Sequence, residues 1–108
     1  MALAMLCAIA CESPTLPLPP PEPPTQTPGV DADHITLTAG CGGAEAGALI
    51  LIINQTLEIS ARKMAVGGSI ADGCGAWDAS VFAHTGDILA ISQESGTVAS
   101  VATTYRVR

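Results

Sequence analysis

Polar and apolar residues alternate strictly from His34. Ile35, Leu37 and Ala39 fall on one side and His34, Thr36 and Thr38 on the other, the period of a strand with one buried face. Glycines at positions 40, 42, 43 and 47 break this pattern, and Ala48-Leu49-Ile50-Leu51-Ile52-Ile53 then runs unbroken. Such a run predicts a central strand covered on both faces, and it is too short to span a bilayer. Residues 54–63 read as a loop with a short edge strand, through Leu57, Ile59 and Ala61. Residues 64–70 lead on with a bulge or kink at Gly67-Gly68. From Ile70 to Val81 the chain predicts a β-hairpin. Asp72-Gly73 supplies the turn, and behind it Ala76, Asp78 and Ser80 alternate with Trp77, Ala79 and Val81. Residues 82–86 read as a loop and residues 87–94 as a strand through Ile88, Leu89 and Ile91. After a turn at Ser95-Gly96, residues 98–107 form a last strand with Val101, Thr103, Tyr105 and Val107 inward. Six or seven short strands punctuated by glycine predict an all-β fold, an antiparallel β-sandwich.

Composition sharpens this in one respect. With one Trp, one Tyr and one Phe, the Trp77 indole is the largest apolar surface in the chain, so the core is expected to be packed around it. All eight prolines lie between Pro14 and Pro28, a segment that cannot fold as part of a sheet interior. Setting that segment and the apolar N-terminus aside leaves about 75 to 80 residues, a size at which a core is thin and a covalent staple helps. Cys41 and Cys74 are placed to provide it. If strands run up and down in turn, the connections that hold them fall at the same end of the sandwich, which predicts a disulfide between them. A full strand at residues 57–62 would reverse that parity.

Residues 1–10 are almost wholly apolar and end in Ala8-Ile9-Ala10-Cys11, which resembles the lipobox of bacterial lipoproteins. The resemblance implies a signal peptide over residues 1–10, with Cys11 as the first mature residue and the site of lipidation, anchoring the chain in a membrane of the cell envelope. Ala8 stands where leucine is usual, and no Lys or Arg precedes the apolar run. The same small residues also fit ordinary signal cleavage, which would release a soluble secreted protein. Residues 11–29 then form the lipidation site and a proline-rich linker. As extended polyproline II, the linker would reach roughly 50 Å, a stalk carrying the domain clear of the surface. The alternative is a proline-motif ligand for an aromatic groove.

Residues 30–108 form the predicted domain, and here a second resemblance enters. Ala46-Gly47-Ala48 before an apolar strand, Asp72-Gly73-Cys74-Gly75-Ala76-Trp77 at a turn, Gly86-Asp87-Ile88-Leu89 and Ser95-Gly96 together resemble the bacterial immunoglobulin-like modules of surface proteins. The resemblance covers residues 30–107 and implies an immunoglobulin-like sandwich with a spacer, adhesion or display role outside the cell. It implies no catalytic residues.

Candidate chemistry is sparse. A net charge of -6 with only four basic residues offers no electrostatic footprint for nucleic acid. Asp31, Asp33, Asp72, Asp78 and Asp87 lack the spacing of a calcium loop. His34, His84, Cys41 and Cys74 lack that of a zinc site. Asn54-Gln55-Thr56 has the form of a glycosylation acceptor. No serine sits in a nucleophile elbow. The expectation is therefore a non-catalytic module without cofactor or metal. Its partners are a membrane, through the lipid anchor, and other surface proteins or glycans. The alternative is a small-ligand or carbohydrate-binding module of a secreted protein, using exposed aromatic rings among Trp77, Phe82 and Tyr105.

Overall fold

The computed structural model describes residues 17–57 and 65–108. The leader expected over residues 1–10, Cys11 and most of the edge strand anticipated around residues 57–62 lie outside them. The described chain forms eight strands: β1 (Thr25–Pro28), β2 (His34–Ala39), β3 (Leu49–Asn54), β4 (Ala65–Ile70), β5 (Trp77–Phe82), β6 (Ile88–Ser95), β7 (Val98–Ala99) and β8 (Thr103–Arg106). They make two antiparallel sheets packed face to face. One has the order β1-β2-β5. The other has the order β4-β3-β6, with β7 and β8 both pairing the far side of β6.

The alternation in the sequence is the alternation of burial. Along β5, Trp77, Ala79 and Val81 are buried while Asp78, Ser80 and Phe82 are exposed. Ile35 and Leu37 join them from β2, and Ile50, Ile52, Leu89 and Ile91 face them from β3 and β6, closed below by Val107. Burying these side chains removes apolar surface from water at about 25 cal/mol per Å2, the main favourable contribution to this fold.

Five expectations need correction. The apolar run is not covered on both faces: Ile50 and Ile52 point inward, whereas Leu49 is exposed and Leu51 and Ile53 are half-buried. An antiparallel sheet can leave one face to water, and no third layer lies over this one among the described residues. The segment from Ile70 to Val81 is not a hairpin, because β4 pairs β3 and β5 pairs β2. Residues 71–76 instead arch from one sheet to the other. Asp72 organises that arch, its Oδ1 accepting from the backbone N–H groups of Cys74 and Ala76. Gly75 has φ +86°, and a Cβ there would run into the Ala44 carbonyl, so only glycine fits. The last strand is broken into β7 and β8, leaving Val101 exposed, with Thr103 and Tyr105 half-buried. The bulge expected at Gly67-Gly68 falls one step earlier: Ile52 opposes Gly67 and Ile53 opposes Ala65, so Val66 is the extra residue.

The fifth correction concerns the linker. Its last residues are β1, paired with β2 from Thr25 opposite Thr38 to Pro28 opposite Ile35. Proline is tolerated here because β1 is an edge strand. Ahead of it the proline-rich segment is laid onto the domain. Leu18 bridges Ser100, Gln93 donates to the Pro19 carbonyl, Thr103 donates to the Pro21 carbonyl, and the Glu22 N–H donates to Gly43. Pro21 and Pro24 are buried. Gln26 then clamps the far end of the chain: its Oε1 accepts from the Tyr105 hydroxyl and the Arg108 N–H, and its Nε2 donates to the Arg108 carbonyl. A fragment beginning at residue 30 forfeits all of these bonds. It is expected to be less stable than residues 17–108 by about 2 to 4 kcal/mol, checked by urea unfolding of the two fragments.

Candidate functional site

The core strands β3 and β6 each carry, at or near their C-terminal end, a buried amide that is in phase with the apolar residues before it. Asn54 follows Ile50 and Ile52, and Gln93 follows Leu89 and Ile91. Asn54 is fully used, and Gln93 is bonded at both its oxygen and its nitrogen. Asn54 Oδ1 accepts from the Thr56 and Leu57 N–H groups, and its Nδ2 donates to the Phe82 carbonyl and to Asp87 Oδ2 at 2.8 Å. Gln93 Oε1 accepts from the Glu45 N–H at 2.7 Å while its Nε2 donates to Pro19. Asn54 is thus committed to the interior, and the Asn54-Gln55-Thr56 acceptor tripeptide presents no free amide.

Asn54 and Asp87 support the end of the three-stranded sheet at which the chain's exposed aromatic ring lies. Register pairs His34 of β2 with Phe82 of β5, and His84 follows two residues on. The Phe82 ring packs edge-on with both imidazoles, centroids 5.6 Å from His34 and 5.3 Å from His84. Phe82 ends a strand, not a loop as its sequence neighbours implied, and it remains 38% exposed. The loop before β2 completes the group. His34 Nδ1 donates to Asp31 Oδ1 at 2.8 Å and His84 Nε2 donates to Asp33 Oδ1 at 2.9 Å, with the Ala83 N–H donating to the Asp33 carbonyl. An ionised carboxylate only accepts, so the ring nitrogen facing each one carries the proton.

Three carboxyls have shifted acidity. Hydrogen bonds from the His34 ring and the Asp33 N–H hold Asp31 below the usual carboxylate range. The Cys74 and Ala76 N–H groups do the same for Asp72. Burial pushes Asp87 up, but hydrogen bonds from Asn54 Nδ2 and the His84 N–H overcome it, and the net shift is downward. A lowered folded pKa means that the stabilisation is in full above the unfolded value, about pH 4, and is lost as pH falls through the folded value. The melting temperature is therefore expected to drop on acidification below about pH 4. Asp87→Asn, measured by thermal melts across the same range, should melt lower at neutral pH and show a shallower acid slope.

The residues expected to matter are scattered. Cys41 and Cys74 are disulfide-bonded, Cα atoms 4.8 Å apart, at the end of the sandwich opposite Phe82. Trp77 is buried at 4% exposure among Ala39, Ala79 and the facing sheet. Its Nε1 is the one buried side-chain polar atom without a partner among the described residues. Beside it a cleft of about 320 Å3 is lined by Thr38, Ser69, Ile70, Asp72 and Asp78. Tyr105 packs against the core with its hydroxyl bound to Gln26. Of the three aromatic residues, Phe82 is the most open to solvent, Tyr105 is half-buried and Trp77 is buried. No three His, Cys, Asp or Glu side chains converge on one point among the described residues. Phe82 beside His84 was legible in the sequence, whereas His34 joins them only through the register of β2 against β5. No protein family, curated protein or solved structure matches this chain.

Proposed function

We propose that this chain is a non-catalytic surface lipoprotein of the bacterial cell envelope, anchored through acylated Cys11, whose β-sandwich is an immunoglobulin-like structural or adhesive module. The observation that carries the reading is the Cys41–Cys74 disulfide. Such bonds persist in oxidising compartments, and a sandwich with so thin a core gains most from one. It supports the same export that the Ala8-Ile9-Ala10-Cys11 sequence implies. The test is incorporation of labelled fatty acid by the chain expressed with its own N-terminus in a bacterial host. Label and membrane association are expected in the wild type and absent from Cys11→Ser. An unlabelled wild-type protein in the soluble fraction contradicts the anchor.

A second reading has a specific observation in its favour. Phe82, open to solvent and rimmed by His34, His84, Asp31 and Asp33, offers an apolar face with hydrogen-bonding groups around it. Such a rim suits a sugar ring, which stacks on an aromatic face and bonds at its edge. Glycan-array binding that disappears in Phe82→Ala would select this reading.

A further inference from the structure

We propose that the anchored domain rides at the bilayer surface, with the edge formed by Leu18, Ser100 and Val101 lowermost, instead of standing off on a stalk. The inference rests on acylation of Cys11 as proposed above. Its own basis is the docking of the proline-rich segment. From Leu18 onward that segment is held by β6, by the Ser100 and Thr103 edge and by the glycine-rich loop, through Gln93, Thr103 and Gly43, before it enters β1. Consecutive prolines at positions 19–21 bring carbonyls without N–H groups, and two of those carbonyls are engaged. Between Cys11 and the first docked residue, Leu18, lie residues 12–17. Even fully extended they span about 25 Å, against roughly 50 Å for a free polyproline spacer of the full segment.

The point of attachment decides which edge lies low. Leu18 forms a parallel bridge with Ser100, and the next residue, Val101, is 69% exposed. Whatever the tilt of the domain, this edge stays within tether length of the headgroups. Ser100 sits beside Gln93, five residues from the start of β6, and the loop holding Thr85 lies past that start, about 20 Å away. A net charge of -6 gives no attraction to anionic lipid, so proximity comes from the short tether and not from affinity.

The experiment uses the acylated chain with its disulfide closed, carrying a fluorophore on a single added thiol, Val101→Cys or Thr85→Cys. The proteins are bound to phosphatidylcholine vesicles with a headgroup quencher. Quenching is expected to be several-fold greater at position 101 than at position 85. Inserting about a dozen Gly and Ser residues after Ser13, a flexible extension of about 20 Å, should bring position 101 down towards position 85. Equal quenching at the two positions on vesicle-bound protein, or no response to the insertion, overturns the inference. Failure of the protein to float with vesicles overturns the acylation beneath it.

Discussion

Trp77→Ala is expected to leave the domain largely unfolded at room temperature. The indole is buried at the start of β5, between the two sheets, and no other aromatic side chain is fully enclosed. Its removal costs the transfer free energy of the ring plus that of the cavity left behind, about 3 to 5 kcal/mol. Small domains hold about 5 kcal/mol in total, so the loss approaches the whole. Trp77→Phe makes the comparison informative. It keeps much of the apolar surface and deletes the Nε1 donor that is buried without an acceptor, a group whose burial costs about 1 to 3 kcal/mol. Phenylalanine is therefore expected to be far milder than alanine. Urea unfolding of the three proteins measures both differences, and an unchanged midpoint for Trp77→Ala would remove the indole from the core.

Reduction of Cys41–Cys74 is the second large effect. The bond closes a loop with a sequence separation of 33, and on the chain-entropy account it stabilises the fold by about 3 to 4 kcal/mol. It also fastens the glycine-rich loop to the arch, where the Gly42 N–H donates to the Cys74 carbonyl and the Ala44 N–H to the Gly75 carbonyl. Cys41→Ala with Cys74→Ala, or the wild type under reductant, is expected to melt about 12 °C or more below the oxidised protein. Both cysteines are exposed, so reductant reaches the bond without prior unfolding. Equal melting curves would show that the loop and arch are held by their backbone bonds alone.

Much of the sandwich was legible because period-two alternation is a local property. Ile35 and Leu37, Trp77 and Val81, and Leu89 and Ile91 each declare a buried face within a few residues. What alternation does not encode is which strand lies beside which. The turn chemistry of Asp72-Gly73 suits a hairpin and an arch equally, and the choice fell to pairing of β4 with β3 and of β5 with β2 across the chain. The apolar run through Leu49, Leu51 and Ile53 misled for a related reason. Apolar residues on both sides of a strand state a preference, and only the number of layers decides whether it is met.

The linker and the site were hidden by the same non-locality. Proline density marks an extended segment, but whether it is free or docked depends on acceptors and donors far along the chain, Gln93 and Thr103 among them. Gln93 and Asn54 did leave a trace, as amides in phase with the core, and a buried amide needs partners that the local sequence does not contain. The Phe82 cluster required the register of β2 against β5, which no single stretch displays.

The most direct test of the account is the intact and peptide-resolved mass of the protein recovered from the membranes of a bacterial host without reductant. The account predicts a chain that begins at Cys11, carries acyl groups on that residue, and yields one cross-linked peptide joining Cys41 to Cys74. An unacylated chain that retains residues 1–10, with free thiols at Cys41 and Cys74, would contradict it.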